Sequence, residues 1–180
     1  MRLPSPLVTT LLVIGTGVAY LQVEGHRRSH PLAEDVAAPP FALLDLAAPH
    51  DTIRLSDYRG QVLILEAWSL SCENCKHSMP QLDSVARPWA EHGVQVLHVA
   101  LEDLADSVAL RQFLEDHADG RTPVGVDNNR AFQAGYSVTG IPTGYLVDRR
   151  GVLRWQGYSA AEELSRPSGR RLIKAMIAEQ

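Results

Sequence analysis

VLILEAWSLSCENCKHSMP, residues 62–80, is the stretch on which the reading of this chain turns. It opens with four consecutive apolar residues, the pattern of a strand covered on both faces. A short turn carrying Cys72-Glu73-Asn74-Cys75 follows, and then the first turns of a helix. These are the only two cysteines among 180 residues. A cysteine at a helix start faces unpaired backbone N–H groups and the positive end of the macrodipole, which favour a thiolate. The second cysteine, about one turn further on, shares that face and lies within reach of a disulfide. The arrangement suits a dithiol that opens and closes.

Spacing alone leaves three readings open. A zinc knuckle needs about four ligands, usually from a second CxxC or a histidine pair. The seven histidines supply no such pair, and only His77 stands near the cysteines. A c-type haem site needs histidine directly after the second cysteine, where Lys76 stands. A purely structural bridge would close so small a loop that it would constrain the unfolded chain little.

The segment Leu65–Lys76, with Pro80 beyond it, resembles the active-site segment of thioredoxin-like proteins. It is most similar to the membrane-tethered TlpA/ResA group and to extracytoplasmic domains of the DipZ type. The resemblance runs from about Pro40 to the C-terminus. It includes Gly140-Ile141-Pro142-Thr143, which matches the family's cis-proline loop, and Leu146-Val147-Asp148 with Gly151, its next strand and hairpin turn. Ser71 departs from the pattern, since the family usually has Trp before the first cysteine. The resemblance implies an α/β, three-layer thioredoxin-like fold, a central mixed sheet flanked by helices, with an added N-terminal β-hairpin. It implies catalysis by Cys72 and Cys75, assisted by Glu66 as a buried acid relaying the proton of Cys75. Trp68, Ser71, Glu73, Asn74, Ile141 and Pro142 would meet the substrate. It further implies protein thiols and disulfides of exported proteins as partners, apocytochromes and copper-site proteins among them, and a membrane electron donor.

Outward from this stretch the chain divides into three. Residues 7–23 are uncharged and mostly apolar, and a 17-residue helix spans roughly 25 Å, slightly short of a hydrocarbon core of about 30 Å. Residues 1–23 are therefore read as a signal-anchor or a cleaved signal peptide, placing the domain in the periplasm, tethered to the inner membrane or soluble. Residues 24–39, polar and leading through Ala37-Ala38-Pro39 to Pro40, read as a linker. Residues 40–180 form the domain. Net charge is −4 with no basic block, which argues against nucleic acid as a partner.

Within the domain, Phe41–Leu46 and Thr52–Leu55 read as a hairpin, and Val94–Leu101, Pro123–Val126, Thr143–Val147 and Val152–Tyr158 as strands. Met79, Leu82, Val85 and Trp89 form an apolar stripe on the helix after the cysteines, which Pro80 should kink. Ser107–His117 reads as a helix, and Asp127 or Asn128 as the cap of a small helix carrying Ala131 and Phe132. Ser159–Glu162 fits a capping box before a short helix, and Leu172, Ile173, Met176 and Ile177 the buried face of the last one. Lys76 reads as a solvated charge that also favours the Cys72 thiolate. His98 and His117 read as structural histidines.

In such a site the Cys72 thiolate attacks a partner disulfide and Cys75 resolves the mixed disulfide, with no cofactor beyond the dithiol and no metal. Glu73 beside Cys72 opposes the thiolate and points to the reducing direction. Two other classes share features of this pattern. A peroxiredoxin loop, P-x-x-x-[ST]-x-x-C, matches at Ser69 but has Leu65 in place of proline. A copper chaperone would use the two thiolates as soft ligands.

Overall fold

The computed structural model describes residues 34–118 and 120–179. The segment read as signal or anchor lies outside them. Among the described residues no helix is long and apolar enough to cross a membrane.

The central strand is β4 (Val62–Trp68), buried at every position. It pairs in parallel with β5 (Val94–Ala100) and antiparallel with β7 (Thr143–Val147). β6 (Val124–Val126) extends the sheet beyond β5, and β8 (Val152–Tyr158) extends it beyond β7. The hairpin of β2 (Ala42–Asp45) and β3 (Thr52–Arg54) adds to β6. On the other side β1 (Val36–Ala37) pairs with β8. The full order is β1-β8-β7-β4-β5-β6-β2-β3. The sheet thus begins inside the stretch read as linker, and that reading is corrected for its last residues. Asp35 N–H donates to Leu153 O, Ala38 and Phe41 are buried, and Tyr136 Oη donates to Pro39 O at 2.8 Å.

Side chains alternate across β4 and sort into two cores. Leu63, Leu65 and Ala67 face Phe41, Phe132, Tyr136 and Tyr145. There α3 (Ala131–Gly135) packs, its first N–H groups held by Asp127, whose oxygens accept from Phe132 at 2.9 Å and Gln133 at 2.8 Å. Val62 and Ile64 face the helices α1 (Cys75–Ala86), α4 (Ala160–Ser165) and α5 (Pro167–Ala178). Glu66 and Trp68 continue that row. α2 (Ser107–His117) completes this layer through Leu110 and Phe113.

α1 buries Cys75, Met79, Leu82 and Ala86, a row spaced by four, three and four residues that turns to the sheet. It ends at Ala86, so Trp89 belongs to the following 3-10 turn, where it is half-buried against the same core. Pro80 is exposed on the outer side. Pro167 opens α5 as its first residue, where a missing N–H costs nothing. Its buried residues are Gly169, Ile173 and Met176, with Leu172 and Ile177 packed at the margin.

Candidate active site

The strand β4 ends at Trp68, and the chain turns through Ser69-Leu70-Ser71 into the cysteines. Two contacts from the end of β5 fix this turn. Leu101 N–H donates to Trp68 O at 2.9 Å, and Leu70 N–H donates to Glu102 Oε1 at 2.7 Å. Within the turn Ser69 and Ser71 hydroxyls lie 3.0 Å apart. Glu102 was not foreseen from the sequence, because it lies 32 residues from its partner and outside any local motif.

Cys72 and Cys75 form a disulfide, with Cα atoms 5.3 Å apart. Cys72 is 8% exposed and Cys75 0%, so an attacking group meets the first sulfur and not the second. Cys75 N–H points at Cys72 Sγ, 3.2 Å away. This donor at the start of α1 stabilises negative charge on that sulfur when the bridge opens. The Ile141–Pro142 peptide is cis. Ile141 and Leu70, both half-buried, pack against the cluster that contains Cys72 and Cys75. The loop from a distant part of the chain therefore joins the same packed cluster as the disulfide.

The remaining expected site residues divide. Ser71, Glu73 and Asn74 are exposed around Cys72 and open to a partner. Trp68 is not. Its side chain is 0% exposed and stacks on Phe113 with centroids 4.7 Å apart. The expectation that it meets substrate is corrected: the row of side chains alternating along β4 carries it into the core beneath the disulfide. The expected roles of Glu73 and Lys76 change too. Lys76 Nζ lies 2.6 Å from Glu73 Oε2, so the lysine is paired and offsets the charge beside Cys72. This hydrogen bond and the lysine's charge hold the Glu73 carboxyl below its ordinary range.

Glu66 is 0% exposed. Its Oε2 accepts the N–H of Ala160 at 2.9 Å. Gly144 stands opposite Glu66 across the β4–β7 pair, and a Cβ there would lie 2.5 Å from Ala160 N. The missing side chain at Gly144 is what lets α4 bring its first N–H to the acid. On the other side stands Ser78, one turn beyond Cys75 on α1. Burial pushes the Glu66 carboxyl above its ordinary range, against the opposing influence of Ser78, His98 and the Ala160 and Ala161 N–H groups. A carboxyl held this way is suited to exchange a proton with a thiol.

Among the described residues no three histidine, cysteine or acidic side chains gather as a metal site. Leu65, at the place where a peroxidatic loop has proline, is fully buried inside β4. His98 Nε2 lies 3.0 Å from Asp83 Oδ1, and His117 Nδ1 2.9 Å from Phe113 O.

A thioredoxin-type sheet with a CxxC disulfide at a helix start, one sulfur reachable and the other buried, together with a cis-proline loop, defines a thiol–disulfide oxidoreductase. The chain belongs to the AhpC/TSA family, whose model matches residues 35–156. It is 26% identical over 160 residues to the thiol-disulfide oxidoreductase ResA of Bacillus cereus, covering 87% of this chain and 90% of that protein. To the thiol:disulfide interchange protein DsbE of Allochromatium vinosum it is 30% identical over 135 residues, 74% and 71% of the two chains. A crystal structure from Chlorobium tepidum, described as a DsbE-type interchange protein, superposes with a TM-score of 0.65. That match has 27% identity over 81% of this chain and 96% of the other.

Proposed function

We propose that this protein reduces disulfides of exported proteins, its domain held outside the cytoplasm by residues 1–23. The observation that carries the reading is the asymmetric pair, Cys72 8% exposed among exposed neighbours and Cys75 fully buried. Cys72 thiolate attacks the partner disulfide, an extended partner segment lies along the backbone at Ile141, and Cys75 resolves the mixed disulfide. Ser71, Glu73 and Asn74 border the contact. The two electrons come from the dithiol itself, with no further cofactor, and a membrane electron donor restores them. Apocytochromes, as in cytochrome c maturation, fit as partners because their haem-attaching cysteines must be reduced.

The direction rests on Glu66. A carboxylate buried on the face covered by α1 opposes further negative charge on the dithiol, which favours the disulfide over the dithiolate. Equilibration against glutathione or dithiothreitol tests this. A reduction potential near or below about −270 mV is expected. A potential near about −120 mV marks an oxidant and overturns the direction.

A further inference from the structure

Thiol exchange as described uses Glu66 and leaves a second buried acid–base pair beside it unexplained. In the parallel register of β4 and β5, Glu66 stands opposite His98 on the helix-covered face. His98 is 0% exposed, and beyond its Nε2 lies Asp83 Oδ1 at 3.0 Å. That oxygen also accepts from Thr122 Oγ1 at 2.7 Å. Among the described residues Glu66 Oε1, His98 Nδ1 and Asp83 Oδ2 are all buried without a hydrogen-bond partner. Unpaired buried polar atoms are costly and uncommon. Here three occur on side chains that follow one another from the sheet centre to its helix-covered margin. Histidine is the side chain whose two nitrogens can accept a proton on one side and release one on the other. Asp83, 7% exposed, borders an open pocket of about 220 Å³ with Arg87, Arg121 and Thr122.

We propose that Glu66, His98 and Asp83 form a buried proton line joining the dithiol to solvent at the far side of α1. The inference rests on dithiol exchange by Cys72 and Cys75. When Cys75 resolves a mixed disulfide, its S–H proton passes to the Glu66 carboxylate. The Cys75 sulfur bonds to Cys72, and the partner sulfur leaves with the electron pair of the broken bond. Glu66 and His98 Nδ1 are not hydrogen-bonded to each other at rest. Once the carboxyl turns to meet the ring it passes a proton to Nδ1, Nε2 gives its proton to Asp83, and Asp83 releases it to water. Re-reduction of the disulfide draws a proton inward along the same groups and restores the starting tautomer. His98 and Asp83 are thus positioning residues acting through Glu66. The other groups facing His98 are Thr122 and, around a second pocket, Asp45, Arg111 and Arg121, while its β6 neighbour Val124 is apolar. Arg87 acts on Asp83.

The test mixes reduced full-length protein with a small aromatic disulfide. One thiol leaves on attack by Cys72, a second on resolution by Cys75, and both are followed as a function of pH. His98→Gln and Asp83→Asn should each leave the first release unchanged and slow the second by about ten-fold near neutral pH, a modest share of general acid–base catalysis. Each should move the pH midpoint of the second release and have no further effect in a Glu66→Gln background. If His98→Gln does not fold, Asp83→Asn decides alone. A folded variant whose second release keeps the wild-type rate and pH profile overturns the line, as does a loss that adds fully to that of Glu66→Gln. A wild-type protein that gives no second release overturns the exchange reading itself, and the line with it.

Discussion

Cys72 is 8% exposed and Cys75 not at all, and this small difference supports the roles proposed for them. Cys72→Ser should abolish turnover, while Cys75→Ser should accumulate mixed disulfides with partner proteins, detectable on non-reducing gels. Absence of any covalent adduct would count against the assignment. Glu66 makes a separate prediction about stability. Its folded pKa is raised above the ordinary 4.5, so the folded state binds the proton more tightly than the unfolded chain. The contribution is full below the unfolded value and is lost as pH rises through the folded value. Glu66→Gln, which keeps an acceptor for Ala160, should therefore melt a few degrees above wild type in mildly alkaline buffer, and the gap should close below about pH 4. Melts that run parallel at every pH would remove the buried charge from the account. At this scale the spacing of Cys72 and Cys75 was legible in the sequence itself, whereas the burial of Glu66 and the cis bond at Pro142 were legible only through the family resemblance. Trp68 was misread, since nearness to a motif says nothing of which face of β4 a side chain takes. Glu102 was beyond reach because its partner is supplied by folding alone.

Among the elements, the close approach of α4 to β7 has the sharpest test. Gly144→Ala places a methyl against the Ala160 backbone, which cannot yield as a side-chain tip can. The helix must shift, at about 1–3 kcal/mol by the usual cost of overpacking. The Glu66–Ala160 hydrogen bond should lengthen with it. Urea denaturation reads the loss of stability, and the pH profile of exchange reads the displaced acid. A variant as stable as wild type would show that α4 tolerates the move. Most elements were legible from periodicity and caps: Ser159 Oγ accepts the Glu162 N–H at 3.3 Å, as its spacing suggests. The strand at Val36–Ala37 was not, because two residues cannot display a period of two. Its pairing with β8 depends on partners more than a hundred residues away.

For the molecule as a whole, strand order is the property no local pattern encodes, and it was legible only through the family resemblance. It leaves β1 and β3, of two and three residues, at the sheet's margins. Arg154 secures the first of these: its guanidinium meets Asp35 at 2.9 Å, Asp148 at 3.1 Å and Glu179 at 2.7 Å. Arg154→Ala should cost about 1–2 kcal/mol for the charged hydrogen bonds lost. It should also speed amide exchange at Val36 and Leu153, and unchanged exchange there would show that β1 holds without it. Under the proposed function the short margins matter, because the exported clients it names would meet the protein extended and incompletely folded. A long bare strand would invite such chains to pair along its length and grow into aggregates. With both borders trimmed, the loop at Ile141 proposed for the partner segment would hold a visiting backbone only as long as the covalent exchange requires.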